Sequence, residues 1–386
     1  MAARIAIFFV VASLIVGSAH YYVWARLVRD AALPSPWARI VTILIAFLFA
    51  VMMSGFVVLR TVPRGVASPF MWVGYTWMGV LFFLVLALGL SDLVRVIAVR
   101  GGDAGLPIDL ERRQSVARIF GGVAALFGIG ASAAGLVSAL SPVAVTRVKV
   151  AIEKLAKAKS GYRIVQISDV HVGPTIGKDF IESVVARINA LKPDLVAITG
   201  DLVDGSVEAL SEHVAPLGKI QAKDGVFFVT GNHEYYSGAD SWLAHLGKLG
   251  IKALRNEHVV IGGSDSGFVL AGIDDPTSPL SDLKQALAGR DASRACVLLA
   301  HQPKAIELAD ELGVDLQLSG HTHGGQMFPW NFLVRLQQPF VAGLHTLARG
   351  AQIYVSRGTG YWGPPMRVGA PAEITEIELV ASASAA

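Results

Sequence analysis

Asp169 and His171 stand one residue apart at the end of a short apolar run, residues 164–167, and both are metal-ligand side chains. On an extended backbone alternate residues point to one face, so the pair is expected to grip one cation with an oxygen and an imidazole nitrogen. Four later strand-like runs end in the same way. Residues 195–199 lead to Gly200-Asp201, 226–230 to Gly231-Asn232-His233-Glu234, 296–300 to His301, and 315–319 to Gly320-His321-Thr322-His323. Open α/β sheets bind ligands in the crevice beyond the carboxyl ends of their strands. The converging donors Asp169, His171, Asp201, Asn232, His301, His321 and His323 exceed what one tetrahedral zinc takes, and they suit two divalent ions. Such ions polarise a bound ligand and acidify bound water toward neutrality. Asp204 and Glu234 are candidates to orient ligand imidazoles, or are solvated loop acids.

The elements that must carry these residues lie in the same half of the chain. Val148, Val150 and Ile152 alternate with Arg147, Lys149 and Ala151 as a half-buried strand. Ile181, Val184, Val185, Ile188 and Leu191 have helical spacing that Pro193 closes, and Leu210, Val214 and Leu217 suggest a second helix. Further strands are expected at 268–273, 353–356 and 373–379, and a frayed tail at 381–386. Cys296 is the single cysteine and sits in an apolar run, so no internal disulfide forms and a buried, inert thiol is expected.

The first half is different. With 53% apolar and 16% charged residues, the chain is too greasy for one soluble globule, and the excess lies in the first 140 residues. Four apolar runs, about 5–25, 40–59, 71–90 and 119–140, are each long enough to cross about 30 Å of hydrocarbon as a helix. Tyr21, Tyr22, Trp24, Trp37, Trp72, Tyr75 and Trp77 cluster toward their ends, and His20 is expected at the headgroup level without a role. The domains are therefore a membrane region over 1–141 and a catalytic domain over 142–380. Arg26, Arg29, Arg39, Arg95, Arg100, Arg112, Arg113 and Arg118 occupy the first and third loops, against Arg4, Arg60 and Arg64 on the other side. The positive-inside rule then places the catalytic half outside the cytoplasm. The twin Arg112-Arg113 before the fourth run agrees, whereas Arg147, Lys149, Lys154, Lys157 and Lys159 after it argue for the reverse.

Taken in order, Asp-x-His, Gly-Asp, Gly-Asn-His-Glu, His and Gly-His-x-His resemble the calcineurin-like metallophosphoesterase family over roughly residues 163–379. The run from Gly320 to Gln326 is similar to bacterial membrane-linked or exported phosphoesterases, and the preceding spans resemble transmembrane metallophosphoesterases. The resemblance implies an α/β fold, a four-layer αββα sandwich preceded by a four-helix transmembrane region. It implies two divalent metal ions, Mn, Zn or Fe. Asp169, His171 and His323 would hold the first, Asn232, His301 and His321 the second, and Asp201 would bridge them. His233 would contact the phosphate or protonate the leaving group.

The expected activity is that of a multi-pass cell-membrane hydrolase of phosphoester or pyrophosphate bonds. Its partners are a phosphorylated substrate, with lipid-linked or amphiphilic molecules as candidates, and the membrane; no nucleic acid is expected. The alternative is a membrane sensor or scaffold whose metal domain binds a phosphorylated ligand without turnover. Arg357 and Arg367 could meet a phosphate, with surface salt bridges as their default role. Met327, Phe328, Trp330, Phe332 and Leu333 read as a core segment, or else as a lipid-facing lip beside the site. His213, His245, His258 and His345 have no motif context.

Overall fold

The computed structural model describes residues 2–100, 110–263 and 266–382. The expected loop at 101–109 lies outside these residues, as do 383–386 of the expected tail. The chain divides into two compact units, Met1–Val137 with Gly363–Met366, and Ser138–Trp362 with Arg367–Ala386.

The first unit contains the helices α1 (Ala2–Trp24), α2 (Trp37–Thr61), α3 (Arg64–Arg100) and α4 (Leu110–Leu140). Among the described residues, three stretches are long and apolar enough to cross a membrane: Trp37–Thr61, Arg64–Ile97 and Gln114–Leu140. The expected run at 5–25 falls largely in α1. The third helix extends well beyond the expected 71–90 and so carries Asp92, whose carboxylate accepts from Tyr22 Oη at 2.7 Å and Arg26 Nε at 2.9 Å. His20 is buried. Its Nε2 accepts from the Trp77 indole at 2.8 Å, because a polar ring facing helix neighbours needs a partner there.

The second unit is built on twelve strands: β1 (Ala144–Ile152), β2 (Tyr162–Ile167), β3 (Leu195–Thr199), β4 (Val226–Val229), β5 (Ile251–Ala253), β6 (Glu257–Ile261), β7 (Phe268–Gly272), β8 (Cys296–Leu299), β9 (Leu316–Ser319), β10 (Gly343–Thr346), β11 (Gln352–Val355) and β12 (Glu373–Ala381). They form two six-stranded sheets, ordered β1-β12-β2-β3-β4-β5 and β10-β11-β9-β8-β7-β6. In the first sheet β2 to β5 run parallel, while β12 is antiparallel to β2 and parallel to β1. In the second, β7, β8, β9 and β11 run parallel, with antiparallel edges β6 and β10. Residue Ala381, counted with the tail in sequence, is the last of β12.

Both faces of the central strands are covered, which is why they read as unbroken apolar runs. Ile164, Leu195, Phe227 and Val229 of the first sheet pack with Leu270, Val297, Leu299 and Leu318 of the second. Val165, Ile167, Val196, Ile198 and Phe228 point the other way, into a cluster with Ile181, Val184 and Ile188 of α5 (Lys178–Leu191) and with Leu210 and Val214 of α6 (Val207–Val214). The helix α5 ends where Lys192 turns left-handed at φ 48° and Pro193 follows. Cys296 is buried on β8 as expected, and burial pushes its thiol up to about 12.

Candidate metal centre

At the carboxyl ends of β2, β3 and β9 the chain leaves extended geometry. Asp169, His171, Asp201, His321 and His323 all have positive φ, between 49° and 70°. Shared strand alternation therefore does not align Asp169 with His171, as the sequence had suggested; two left-handed residues in a tight turn do. Such a conformation costs a non-glycine residue roughly 1–3 kcal/mol and persists only where neighbours over-determine it. Here the Asp169 amide donates to Gly200 O at 3.0 Å and the His171 amide to Asp201 O at 3.1 Å. The His321 amide donates to Asp169 Oδ1 at 2.9 Å. Glycine is required at two of the closest approaches. A Cβ on Gly231 would run into the Asp201 carboxylate, and one on Gly320 into Ser168 and Asp169.

Six of the seven expected ligands fall, among the described residues, into two groups. Asp169, His171 and His323 form one group, with His171 Nε2 and His323 Nε2 3.0 Å apart and His323 Nε2 3.4 Å from Asp169 Oδ1. Asp201, His301 and His321 form another, with His301 Nε2 3.1 Å from Asp201 Oδ2 and 3.2 Å from His321 Nδ1. Asp201 Oδ2 is also 3.9 Å from His171 Nε2, so one carboxylate faces both groups. Asn232 begins α7 (Asn232–Ser237), and its Oδ1 is buried without a hydrogen-bond donor. A buried amide oxygen left without a donor is a group that a cation can satisfy.

Two of the ring nitrogens turned away from the centre are held by acceptors, whereas His323 Nδ1 is buried without a partner. His301 Nδ1 donates to Thr199 O at 2.7 Å, and His171 Nδ1 to Asp204 Oδ1 at 3.0 Å, which leaves both Nε2 atoms to face inward. The electrostatics call for positive charge. Burial lowers His171, but the carboxylates of Asp204, Asp201 and Asp169 together outweigh it and raise the ring to about 9. Burial likewise lowers His301, but the carboxylates of Asp201, Asp169 and Asp275 together raise it well above its ordinary value. His321 is pushed down to about 3 by burial and then by His301, and His323 falls well below its ordinary value by burial and then by His171. These two are neutral donors, as metal ligation requires.

Asp204 does more than orient one ring. Its Oδ1 also meets His233 Nδ1 at 2.6 Å, so a single carboxylate oxygen couples a candidate ligand to the candidate proton donor. Burial raises Asp204, but His171 outweighs it and holds the carboxylate at about 2. Glu234 behaves otherwise than expected, touching no ligand imidazole. It is fully buried and accepts from the amides of Gly231 at 2.6 Å, Leu202 at 2.8 Å and Asp201 at 3.0 Å, tying two loops together. Burial and then the Asp201 charge push it up to about 7.

Neither C-terminal arginine is a surface salt bridge. Arg357 pairs with the buried Glu373 at 2.5 Å, and Arg367 is itself buried, donating to the carbonyls of Gly360, Ala370 and His323. The segment read as core is exposed instead: Phe328, Trp330, Phe332 and Leu333 stand about half out, and Leu336 further. Residues absent from the sequence reading also border the site. Tyr236 and Trp362 lie edge-on to His233; Tyr236 follows it by three residues on α7, a spacing that makes neighbours on a helix, whereas nothing in the spacing of Trp362 could have tied it to the site. His213, His245, His258 and His345 join none of the candidate metal groups among the described residues.

Residues 162–325 match the family model described as calcineurin-like phosphoesterase. A Bos taurus protein named transmembrane protein with metallophosphoesterase domain is 38% identical, over 80% of this chain and 74% of its own. A Danio rerio protein of the same name is 34% identical over 96% of this chain and 88% of its own. An uncharacterized metallophosphoesterase of Campylobacter jejuni is 34% identical over 97% and 98%. With three helices of membrane-crossing length, these names point to a membrane protein. Both ends of the comparison, animal and bacterial, carry the same domain, and this chain belongs to the calcineurin-like metallophosphoesterase family.

Proposed function

We propose that the protein is a membrane-anchored, dimetal-dependent hydrolase of phosphoester or pyrophosphate bonds that acts on a lipid-linked or amphiphilic substrate. The observation that carries this reading is the position of Asp201, whose one carboxylate faces two groups of imidazole and carboxylate donors. Asp169, His171 and His323 would hold one ion, Asn232, His301 and His321 the other, and Asp201 both. When bound, divalent ions such as Mn, Zn or Fe supply the positive charge that stabilises an anionic phosphoryl transition state and acidifies water. The protein's own part is positioning and proton transfer. Asp204 holds His233 through Nδ1, so its Nε2 is free to carry the proton that the leaving oxygen takes as the P–O bond breaks. The exposed apolar ridge Phe328, Trp330, Phe332, Leu333 and Leu336 favours a substrate with an apolar part.

The test is to strip the detergent-solubilised protein with chelator, then assay phosphomonoesters, phosphodiesters and lipid pyrophosphates with and without manganese, zinc or iron. Activity lost with the metal and regained on its return is expected. Equal hydrolysis by stripped and reloaded protein would remove the dimetal reading.

We also propose four membrane helices, with α1 as the fourth, and a catalytic unit outside the cytoplasm, because the first and third loops carry the larger share of arginine. Protease added to intact cells is expected to digest residues after Pro142. Digestion only after permeabilisation would reverse the orientation.

A further inference from the structure

The rings of Tyr236 and Trp362 stand 5.5 Å and 5.6 Å from the His233 ring, both near edge-on at 68° and 75°. Both are largely open to solvent, 71% and 54% exposed. An indole left in water beside a reactive group has a cost that its fixing contacts must offset, and here they are specific. The Trp362 amide donates to Gln326 Oε1 at 2.9 Å, and Gln326 Nε2 donates back to Trp362 O at 3.0 Å. Gln326 is buried, lies three residues after His323, and is held in left-handed conformation at φ 50°. Its carbonyl takes the Val368 amide at 2.8 Å, and Val368 O takes the Phe328 amide at 2.9 Å. The loop that carries Trp362 and the start of the exposed apolar ridge are thus fastened to the same few residues.

We propose that Tyr236 and Trp362 form the leaving-group subsite, that they select phosphoesters whose leaving group has an apolar body, and that Gln326 is the positioning residue for Trp362. The inference rests on the phosphoesterase reading with His233 as proton donor. A leaving oxygen that takes its proton from His233 must lie on the side of that ring, and the body attached to it then meets the two exposed aromatic faces. Polar bodies gain nothing from those faces, whereas each methylene removed from water there contributes.

The test uses the full-length solubilised protein with manganese and a matched pair of leaving groups, decyl and 2-hydroxyethyl, as phosphate monoesters and as methyl diesters. The two alcohols resemble one another in leaving ability and differ in apolar body. Wild type is expected to prefer decyl. Trp362→Ala is expected to lower the decyl-to-hydroxyethyl ratio of kcat/KM roughly tenfold, mostly through KM. Tyr236→Ala should act in the same direction, and Trp362→Phe should retain most of the selectivity. Gln326→Ala should mimic Trp362→Ala, and the double variant should fall no further than Trp362→Ala alone, a non-additivity that general destabilisation does not produce. Melting temperatures identify misfolded variants, and Trp362→Gln gives the same reading should alanine not fold. A wild type without decyl preference, or a parallel fall on both esters, overturns the subsite and leaves the phosphoesterase reading intact. Inactivity of the metal-loaded wild type on all four esters and on the broader panel overturns both.

Discussion

Alanine at His233 is expected to slow hydrolysis by roughly 10²–10⁴-fold while the bound metal stays in place. His233 reaches the site through Asp204 and through its own amide, which donates to Asp201 Oδ1 at 2.9 Å, and it belongs to neither group that Asp201 joins. On the proposed assignment its loss removes a proton donor and not a ligand, although His233 also clusters with His171 and Asp204. Asp201→Asn should fail differently. Its Oδ2 faces His301 at 3.1 Å and His171 at 3.9 Å, so an amide there removes the shared negative charge from both groups. Elemental analysis of the purified variants separates the two. Metal retained by the His233 variant and lost by the Asp201 variant is expected. Metal lost from the His233 variant would make that histidine a ligand.

Glu234→Ala is expected to be among the most destabilising single changes in the catalytic unit. It would leave the amides of Gly231, Leu202 and Asp201 buried without an acceptor. An unsatisfied buried donor costs about 1–3 kcal/mol, so three of them amount to several, or about 10 °C in melting temperature. Glu234→Gln keeps one acceptor oxygen and should lose less. The loop loss should also lower metal affinity, because Asp201 sits on one of the released amides. A melting temperature for Glu234→Ala within 2 °C of wild type would mean that solvent or a local shift replaces the carboxylate.

What could be read from sequence here divides along a physical line. The strands ending at Asp169, Asp201, Asn232, His301 and His321 were legible because burial on both faces makes each an unbroken apolar run, with ligand types at the end. The split of the donors into two sets came from the resemblance rather than from spacing, and Asp169 lies with His171 and His323, and Asp201 with His301 and His321. The direction of Asp169 and His171 was not legible, since a turn with two positive φ values has no signature in residue type alone. Glu234 was misjudged because an acid beside a histidine motif looks the same whether it faces a ring or three amides. Residues 328–333 were misjudged because apolarity measures what burial would gain, and says nothing about whether a partner element arrives. The pairing of Gln326 with Trp362 spans distant loops and depends on tertiary structure alone.

The place of β12 in the first sheet has a consequence for how the protein is made. The strand inserts between β1 and β2, parallel to one and antiparallel to the other, and it reaches the ribosome exit long after both. At common synthesis rates the delay is roughly 10–40 s. Until residues 373–381 emerge, β2, which leads into Asp169, has one unpaired edge, and β1 has no sheet to join. Nascent chains are therefore expected to stay inactive and adhesive over most of translation, in need of a chaperone's custody. Messages broken before codon 373 should yield no partly working enzyme, only substrate for proteolysis.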